Sequence, residues 1–345
     1  MRTVTFTEGR LVLFSKAPLI PLLLSLLFTP MPIFAQPAHH PASSAAKATA
    51  PQKIILDTDI GDDIDDAYAL ALALQSPKQV DLLGVTTAWG NTQLRARLVQ
   101  RFLDVTDHRG IPVTAGPTTK PTAVFSQAKW AEAQPLAVEG FPDAISFLIR
   151  EIHRYPHQIT LVAIAPYSNI GALIKRNPAA FRQLKRIVLM GGSIHRGYGD
   201  LGYQPSHGPD AEYNVAMDVP ASQALFTSGV PIYMMPLDST QLKLDEVMRP
   251  ILFGSGTPLT NALAQLTSEW MASSEQATPT LYDAMAMAYV IRPSLCPTTP
   301  LHITVNSKGY TLITAGLPNA HVCLNSNSSN FFHFLLPHLM ATSPN

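Results

Sequence analysis

The chain predicts a single α/β domain whose mostly parallel central sheet carries helices on both faces. Three observations lead there. Apolar strand-like runs alternate with helical patterns through most of the chain, as in consecutive βαβ units. The polar segments able to carry chemistry come directly after those strand-like runs, where parallel sheets place their ligands. No internal repeat and no second domain is visible.

From the amino end, Arg10 and Lys16 precede the apolar run Ala17–Phe28, and Ile33-Phe34-Ala35 forms a cleavage site before Gln36. Residues 1–35 therefore read as a secretory signal peptide, which predicts a secreted or periplasmic protein. The run is short for a membrane span, so no stable membrane anchor is expected. Residues 36–52, rich in Ala, Pro and Ser, read as a flexible tether. Cleavage after Ala35 leaves 310 residues, enough for one large domain over 53–345. Loss of Arg2, Arg10, Lys16 and Glu8 turns 24 basic against 24 acidic residues into 21 against 23. With no basic run, nucleic acid and anionic membrane are excluded as expected partners. Cys296 and Cys323 are able to pair in an oxidising compartment, but their spacing does not decide it.

Strands are expected at 53–56, 82–87, 111–115, 160–165, 186–190 and 231–236. Helices are expected between them at 66–75, 94–105, 142–153, 170–176 and 221–228. The Gly-rich stretch 191–214, with His195, Tyr198, Tyr203 and His207, reads as a lid over the strand ends. Residues 302–305 and 310–314 around Asn306-Ser307-Lys308-Gly309 predict a β-hairpin. Met285 and Met287 alternate with alanines and belong to an apolar core helix.

One segment stands apart. Leu56-Asp-Thr-Asp-Ile-Gly-Asp-Asp-Ile-Asp-Asp-Ala67 packs six carboxylates between an apolar strand and an apolar helix, in a chain only 14% charged. Asp57 sits where the strand ends, and Asp65 and Asp66 open the helix, whose N-terminus favours negative charge. Carboxylates this crowded repel one another unless a cation binds, and clustered oxygen ligands suit a hard ion such as Ca²⁺ or Mg²⁺. An EF-hand loop starting at Asp57 requires Gly and Glu where Asp62 and Tyr68 stand, and a phosphoryl-transferring Asp-x-Asp-x-Thr motif requires Thr at Gly61. A purely structural Ca²⁺ site is the remaining alternative to a catalytic one.

The stretch Asp57-Thr-Asp59-Ile-Gly61-Asp-Asp63-Ile-Asp65-Asp66 resembles the amino-terminal signature of the inosine-uridine-preferring nucleoside hydrolase family, with Ile60 in place of Pro and two residues added. Gly90-Asn91, Pro166-Tyr-Ser-Asn169, Met190-Gly-Gly192, Glu212-Tyr-Asn214 and Tyr282-Asp283-Ala284 resemble later family segments in the same order. The resemblance implies a Rossmann-related fold and Ca²⁺-dependent hydrolysis of the N-glycosidic bond of ribonucleosides, with a small nucleoside as the binding partner. It implies Ca²⁺ held by Asp59, Asp66, Asp283 and the backbone carbonyl of Ile164, with Asp59 also the base toward water. Asp65, Asn91, Glu212, Asn214 and Asp283 are cast as contacts to the ribose. Asp63, inside the added pair, competes with Asp65 for that role, while Asn91 as a turn residue and Asp65 as a helix cap are the plain alternatives. Asp57 is expected to support the loop from behind. The family also suggests a homodimer or homotetramer.

Two departures bear on the leaving group and the sugar. Tyr282 stands where purine-cleaving relatives carry His, and a phenol with pKa near ~10 donates a proton less readily than imidazolium. Tyr282 then orients the base, or His195, His207 or a lid tyrosine donates the proton, or the leaving group needs little help. The lid is longer than usual, and the family's Asn for the 5′-hydroxyl has only Asp200 and Asp210 as stand-ins. Trp89 suits stacking on a base or a place in the rim. A nucleoside-binding protein with a degenerate site, and a hydrolase of a related ribosyl substrate such as nicotinamide riboside, are the alternative functions.

Overall fold

A computed structural model describes residues 50–133 and 140–342, so the leader 1–35 and the tether as far as residue 49 lie outside the described residues. Among the described residues the strands are β1 (Gln52–Thr58), β2 (Val80–Thr87), β3 (Val113–Ala115), β4 (Thr160–Ala163), β5 (Arg186–Met190), β6 (Ile232–Met235), β7 (Thr299–Leu301), β8 (Ile303–Val305), β9 (Thr311–Ile313) and β10 (Ala320–Val322). Eight of them form one sheet in the order β3-β2-β1-β4-β5-β6-β10-β7, parallel throughout except for β7. The predicted fold class is the one observed.

Alternation along the buried strands explains why both faces are covered. Ile54 and Leu56 point into one apolar core while Ile55 points into the other. Val188 and Met190 on β5 join the first core, and Ile187 and Leu189 the second. Helices Asp65–Leu74, Thr92–Val105, Pro258–Ser274, Tyr282–Ile291 and Ser328–Met340 supply the first core. Helices Ala144–Arg154, Ser168–Arg176 and Val219–Phe226 supply the second. Strands buried on both faces read as continuous apolar runs, which is how these six runs read in the sequence.

Helix Tyr282–Ile291 packs along helix Asp65–Leu74, and this pairing brings the early and late carboxylates together. Both helices are almost wholly buried, so their own side chains are apolar nearly all the way round beyond the opening aspartates. The hairpin is present as β8 and β9, paired antiparallel around the turn at Asn306. Cys296 and Cys323 are bonded, with Cα atoms 5.6 Å apart, tying the segment after helix Tyr282–Ile291 to β10. Among the described residues no helix is long and apolar enough to cross a membrane.

Candidate active site

The sheet reverses its winding direction between β1 and β4, and crevices at such points are where open α/β sheets bind ligands. A cavity of about 290 Å³ opens there, beyond the carboxyl ends of β1, β4 and β5. Asp59, Asp63, Asp65 and Asp66 reach it from the turn and helix after β1, Ile164 from the end of β4, and Met190 from the end of β5. Glu212, Asn214 and Asp283 complete that wall from later segments, and Tyr282 lines the cavity facing Tyr198.

Within it, one carboxylate oxygen each from Asp65, Asp66 and Asp283 lies within 4.8 Å of the others, and all three side chains are buried. Asp283 also donates its backbone N–H to Asp65 Oδ2 at 3.1 Å, and Thr58 Oγ1 donates to Asp66. Burial, with repulsion among these acids and Asp59, holds the carboxyls of Asp65, Asp66 and Asp283 well above the ordinary range. Burial pushes Asp59 up to about 7, against the opposing pull of the Arg95 guanidinium. A cation among them relieves desolvation and repulsion together. The donors are oxygens without thiol or imidazole, so the set fits a hard divalent ion. Of the expected ligands, Asp66 and Asp283 belong to the converging triad, which adds Asp65, and Asp59 and Ile164 line the same cavity.

The residues expected to read the sugar are placed unevenly. Glu212 is the N-cap of helix Tyr213–Met217 and accepts the N–H groups of Gly192 (2.8 Å), Asn214 (2.9 Å) and Val215 (3.2 Å). Burial still raises it to about 7. Asn214 donates its amide to the carbonyls of Ile164 (3.4 Å) and Met190 (3.3 Å). Asn91 does not line the cavity: its Oδ1 accepts the Leu94 N–H at 3.1 Å and caps helix Thr92–Val105. Asp63 reaches the wall beside Trp270, with its Oδ1 on the N–H of Ile64, while Asp65 joins the triad. Asp57 sits beneath, fully buried, accepting from Thr86 and from Asn169 Nδ2 (2.7 Å), and burial raises it to about 6.

The lid contributes Tyr198 to the cavity, and neither His195 nor His207 lines it. Asp238 accepts the N–H groups of Ile194 and His195, each at 2.8 Å, and Gln241 donates to the carbonyls of Gly197 and Asp200. Asp210 accepts the Tyr198 N–H at 2.8 Å and Asp200 that of Gly202 at 2.9 Å, so both acids serve the lid and neither lines the cavity. The Tyr198 ring meets Tyr282 edge to face, centroids 6.1 Å apart and planes at 80°. Burial raises both phenols above their ordinary value, so both are neutral at physiological pH. Trp89 turns away and donates Nε1 to Thr122 at 2.8 Å.

Several lining residues carried no sequence signal. Val124 and Trp270 line the cavity from a loop and a helix that no motif marked, and Tyr213 is held by Thr122 at 2.7 Å. Gly61 has φ +125°, and the Phe125 ring fills the space where a side chain would stand. Arg95, 2% exposed, grips the aspartate loop from behind.

Residues 54–333 match the family model described as inosine-uridine preferring nucleoside hydrolase. The non-specific ribonucleoside hydrolase RihC of Salmonella agona is 32% identical over 282 residues, covering 76% of this chain and 85% of that protein. The pyrimidine-specific ribonucleoside hydrolase RihA of Citrobacter koseri is 26% identical over 317 residues, covering 83% and 97%. Among solved structures, a plant nucleoside hydrolase superposes with a TM-score of 0.73 at 23% identity, covering 85% of this chain and all of its own. A purine-preferring ribonucleoside hydrolase from Gardnerella vaginalis gives 0.69 at 22% identity, covering 84% and 98%. At these identities the structural likeness speaks for the fold.

Proposed function

The chain belongs to the inosine-uridine preferring nucleoside hydrolase family and is an N-ribosyl hydrolase, and on that premise we propose that it splits ribonucleosides into base and ribose at this cavity with the help of Ca²⁺. The observation that carries the reading is the buried triad Asp65, Asp66 and Asp283 in one cavity with Asp59, Glu212 and Asn214. The triad, with Asp59 and the Ile164 carbonyl at its margin, would hold the ion. When bound, such an ion supplies Lewis acidity toward water and a grip on neighbouring sugar hydroxyls.

Cleavage of an N-glycosidic bond passes through an oxocarbenium-like sugar, so attack by water and departure of the base must both be assisted. Asp59 accepts the proton of the attacking water, its carboxyl lying within the cavity beside the triad. Glu212 accepts hydrogen bonds from sugar hydroxyls through whatever capacity three backbone N–H groups leave it. Asn214 is held rigid by two carbonyls and reads the sugar beside it. Tyr282 and Tyr198 face the leaving base as neutral phenols, able to hydrogen-bond it without ionising. That favours substrates whose base leaves with little protonation, and nicotinamide riboside, whose pyridine leaves neutral, joins the reading on this account.

The test is release of reducing sugar from inosine, uridine, cytidine, adenosine and nicotinamide riboside, with and without chelator. Chelator-sensitive release restored by Ca²⁺, and lost in Asp59→Ala, supports the reading. Tight nucleoside binding without release would make the chain a binder, and full activity of Asp59→Ala removes that residue from the reaction.

We also propose export, supported by the leader-like residues 1–35 and by the Cys296–Cys323 bond, a linkage that persists in oxidising compartments. Recovery outside the cytoplasm of a mature chain beginning at Gln36 is the expected result; a full-length chain confined to the cytoplasm refutes it.

A further inference from the structure

Arg95 lies in the first turn of helix Thr92–Val105, where a sequence reading sees one of several arginines on a helix. The structure buries it to 2% exposure and satisfies its guanidinium on three nitrogens. Nε donates to the Trp89 carbonyl at 2.7 Å. Nη1 donates to the carbonyls of Asp59 and Ile60, the latter at 3.1 Å. Nη2 meets Asp62 Oδ2 at 2.7 Å. These acceptors belong to two turns, those following β1 and β2, which the side chain staples together.

A second observation points the same way. Trp89 is a bulky residue at φ +62°, a left-handed conformation that L-residues rarely adopt. Its carbonyl is one of the groups Arg95 holds, and Thr122 holds its indole N–H. The strain is thus maintained by contacts that also fix the aspartate loop. Arg95 itself does not line the cavity, so it stands behind the loop and Asp59 stands before it.

We propose that Arg95 is the positioning residue of the reaction: by gripping the main chain at Asp59 and Ile60 together with the Asp62 carboxylate, it holds the Asp59 side chain in the cavity whether or not a cation is bound. The inference rests on the reading of Asp59 as the proton acceptor. It separates two roles for Arg95. As a mere counter-charge among acids, lysine would replace it. As a three-pronged clamp it is irreplaceable by lysine, whose ammonium is a point charge without the planar fork.

The experiment compares wild type, Arg95→Lys and Arg95→Ala by nucleoside kinetics, calorimetric Ca²⁺ titration and amide exchange of the cation-free chain. Both variants are expected to lose kcat about 100-fold, the scale of an ångström-sized misplacement, with KM nearly unchanged. Ca²⁺ stoichiometry stays near one per chain, which shows that the population is folded. Guanidinium restores Arg95→Ala, while equal ammonium does not. Amide exchange over Asp59–Asp63 quickens in both. Wild-type kcat in Arg95→Lys, or equal rescue by ammonium, overturns the clamp in favour of the counter-charge. If Arg95→Ala does not fold, Asp62→Ala removes the acceptor of Nη2 together with one carboxylate of the cavity lining, so exchange of the Asp59 and Ile60 amides is the deciding readout. The variant is expected to lower kcat about tenfold, the worth of one such bond, and to quicken exchange in the same loop; unchanged exchange overturns the proposal. A wild-type chain that releases no ribose would instead sink the reading of Asp59, and amide exchange would still report whether Arg95 holds the loop.

Discussion

Raising the pH in the presence of a chelator is expected to destabilise this protein, and Ca²⁺ to reverse the loss. Asp59 shows the magnitude. Its carboxyl rises from an ordinary 3.8 to about 7 on folding, mainly through burial. Between those two values the folded chain holds a proton that the unfolded chain has released, so stability falls as pH rises through that window. The stabilisation is full below the unfolded value and lost above the folded one. A rise of this size corresponds to about 4 kcal/mol. For a domain of this length that amounts to a fall of about 6 °C in Tm. Asp57 and Glu212, raised to about 6 and about 7, act in the same direction. An ion bound only by the folded state contributes about 4 kcal/mol at about 1,000 times its Kd, enough to offset the Asp59 contribution. The assay is thermal unfolding from pH 4.5 to pH 8, with chelator and with excess Ca²⁺. The chelated midpoint should fall toward high pH and the Ca²⁺ increment should grow. Calorimetric titration at pH 6 in two buffers of different ionisation enthalpy should register released protons. A chelated midpoint flat from pH 5 to pH 8, with equal Ca²⁺ increments at both ends, refutes the reasoning.

Three further perturbations separate the parts of the site. Tyr282→Phe removes one neutral hydrogen bond to the departing base and should lower kcat for adenosine about tenfold while sparing a nitrophenyl riboside; equal losses on both substrates exclude the phenol from leaving-group assistance. Gly61→Ala forces a side chain into the Phe125 ring at φ +125°, so Tm should fall and ribose release with it, the backbone strain alone being about 1–2 kcal/mol; unchanged melting would show that the loop adapts. Paired Cys296→Ser and Cys323→Ser open a link spanning 27 residues, for which chain entropy gives about 3.6 kcal/mol; Tm should drop by about 5 °C with kcat at 25 °C retained, and an unaltered Tm argues that the unfolded chain is not constrained by this bond.

The fold was legible because its strands are buried on both faces. A run such as Arg186–Met190 has apolar side chains on both sides of the pleat, and the helices between such runs keep their 3.6-residue period. Strands β7 and β10 were not legible: each is three residues long, and β7 carries Pro300 at the sheet edge, where its missing N–H costs no ladder bond. The site was half legible. Asp59, Asp65 and Asp66 announced themselves because carboxylates are out of place in apolar surroundings, whereas Asp283 came only through the resemblance of its segment to the family. Arg95 did not, since an arginine in a helix reads as a solvated residue until a turn 36 positions earlier folds against it. Asn91 is the converse case. A residue type suited to hydroxyls is equally suited to capping, and the local bond to Leu94 prevailed. Pairing of Cys296 with Cys323 was undecidable from spacing because it depends on β10 lying beside β6.

The cavity divides into two walls with different mechanical support, and that division bears on what can change in it. The wall bearing the carboxylates is fixed by buried elements: Asp57 is braced by Asn169 and Thr86, Glu212 by three backbone N–H groups, Asn214 by two carbonyls, and Asp59 by the main-chain grip of Arg95. Each brace is a buried polar contact whose loss leaves a partner unsatisfied, so substitution there costs stability as well as activity. The opposite wall is Val124, Tyr198, Tyr213 and Tyr282, and two of its residues are exposed, Val124 at 75% and Tyr198 at 40%. Its hydrogen bonds are few: Thr122 with the Tyr213 hydroxyl, the Tyr213 N–H to the Tyr198 hydroxyl, and the Tyr198 hydroxyl to Glu212 Oε1 at 3.5 Å, a link to the carboxylate wall. Val124, an exposed apolar side chain of that wall, can be exchanged without removing a hydrogen bond from the carboxylates. On the proposed reading, sugar recognition and attack fall to the carboxylate wall, and discrimination among leaving bases to the exposed wall. Val124→Tyr makes the distinction measurable: base preference should shift while the ribose product and the Ca²⁺ affinity stay as they are, whereas a change in Ca²⁺ affinity would show the two walls to be coupled.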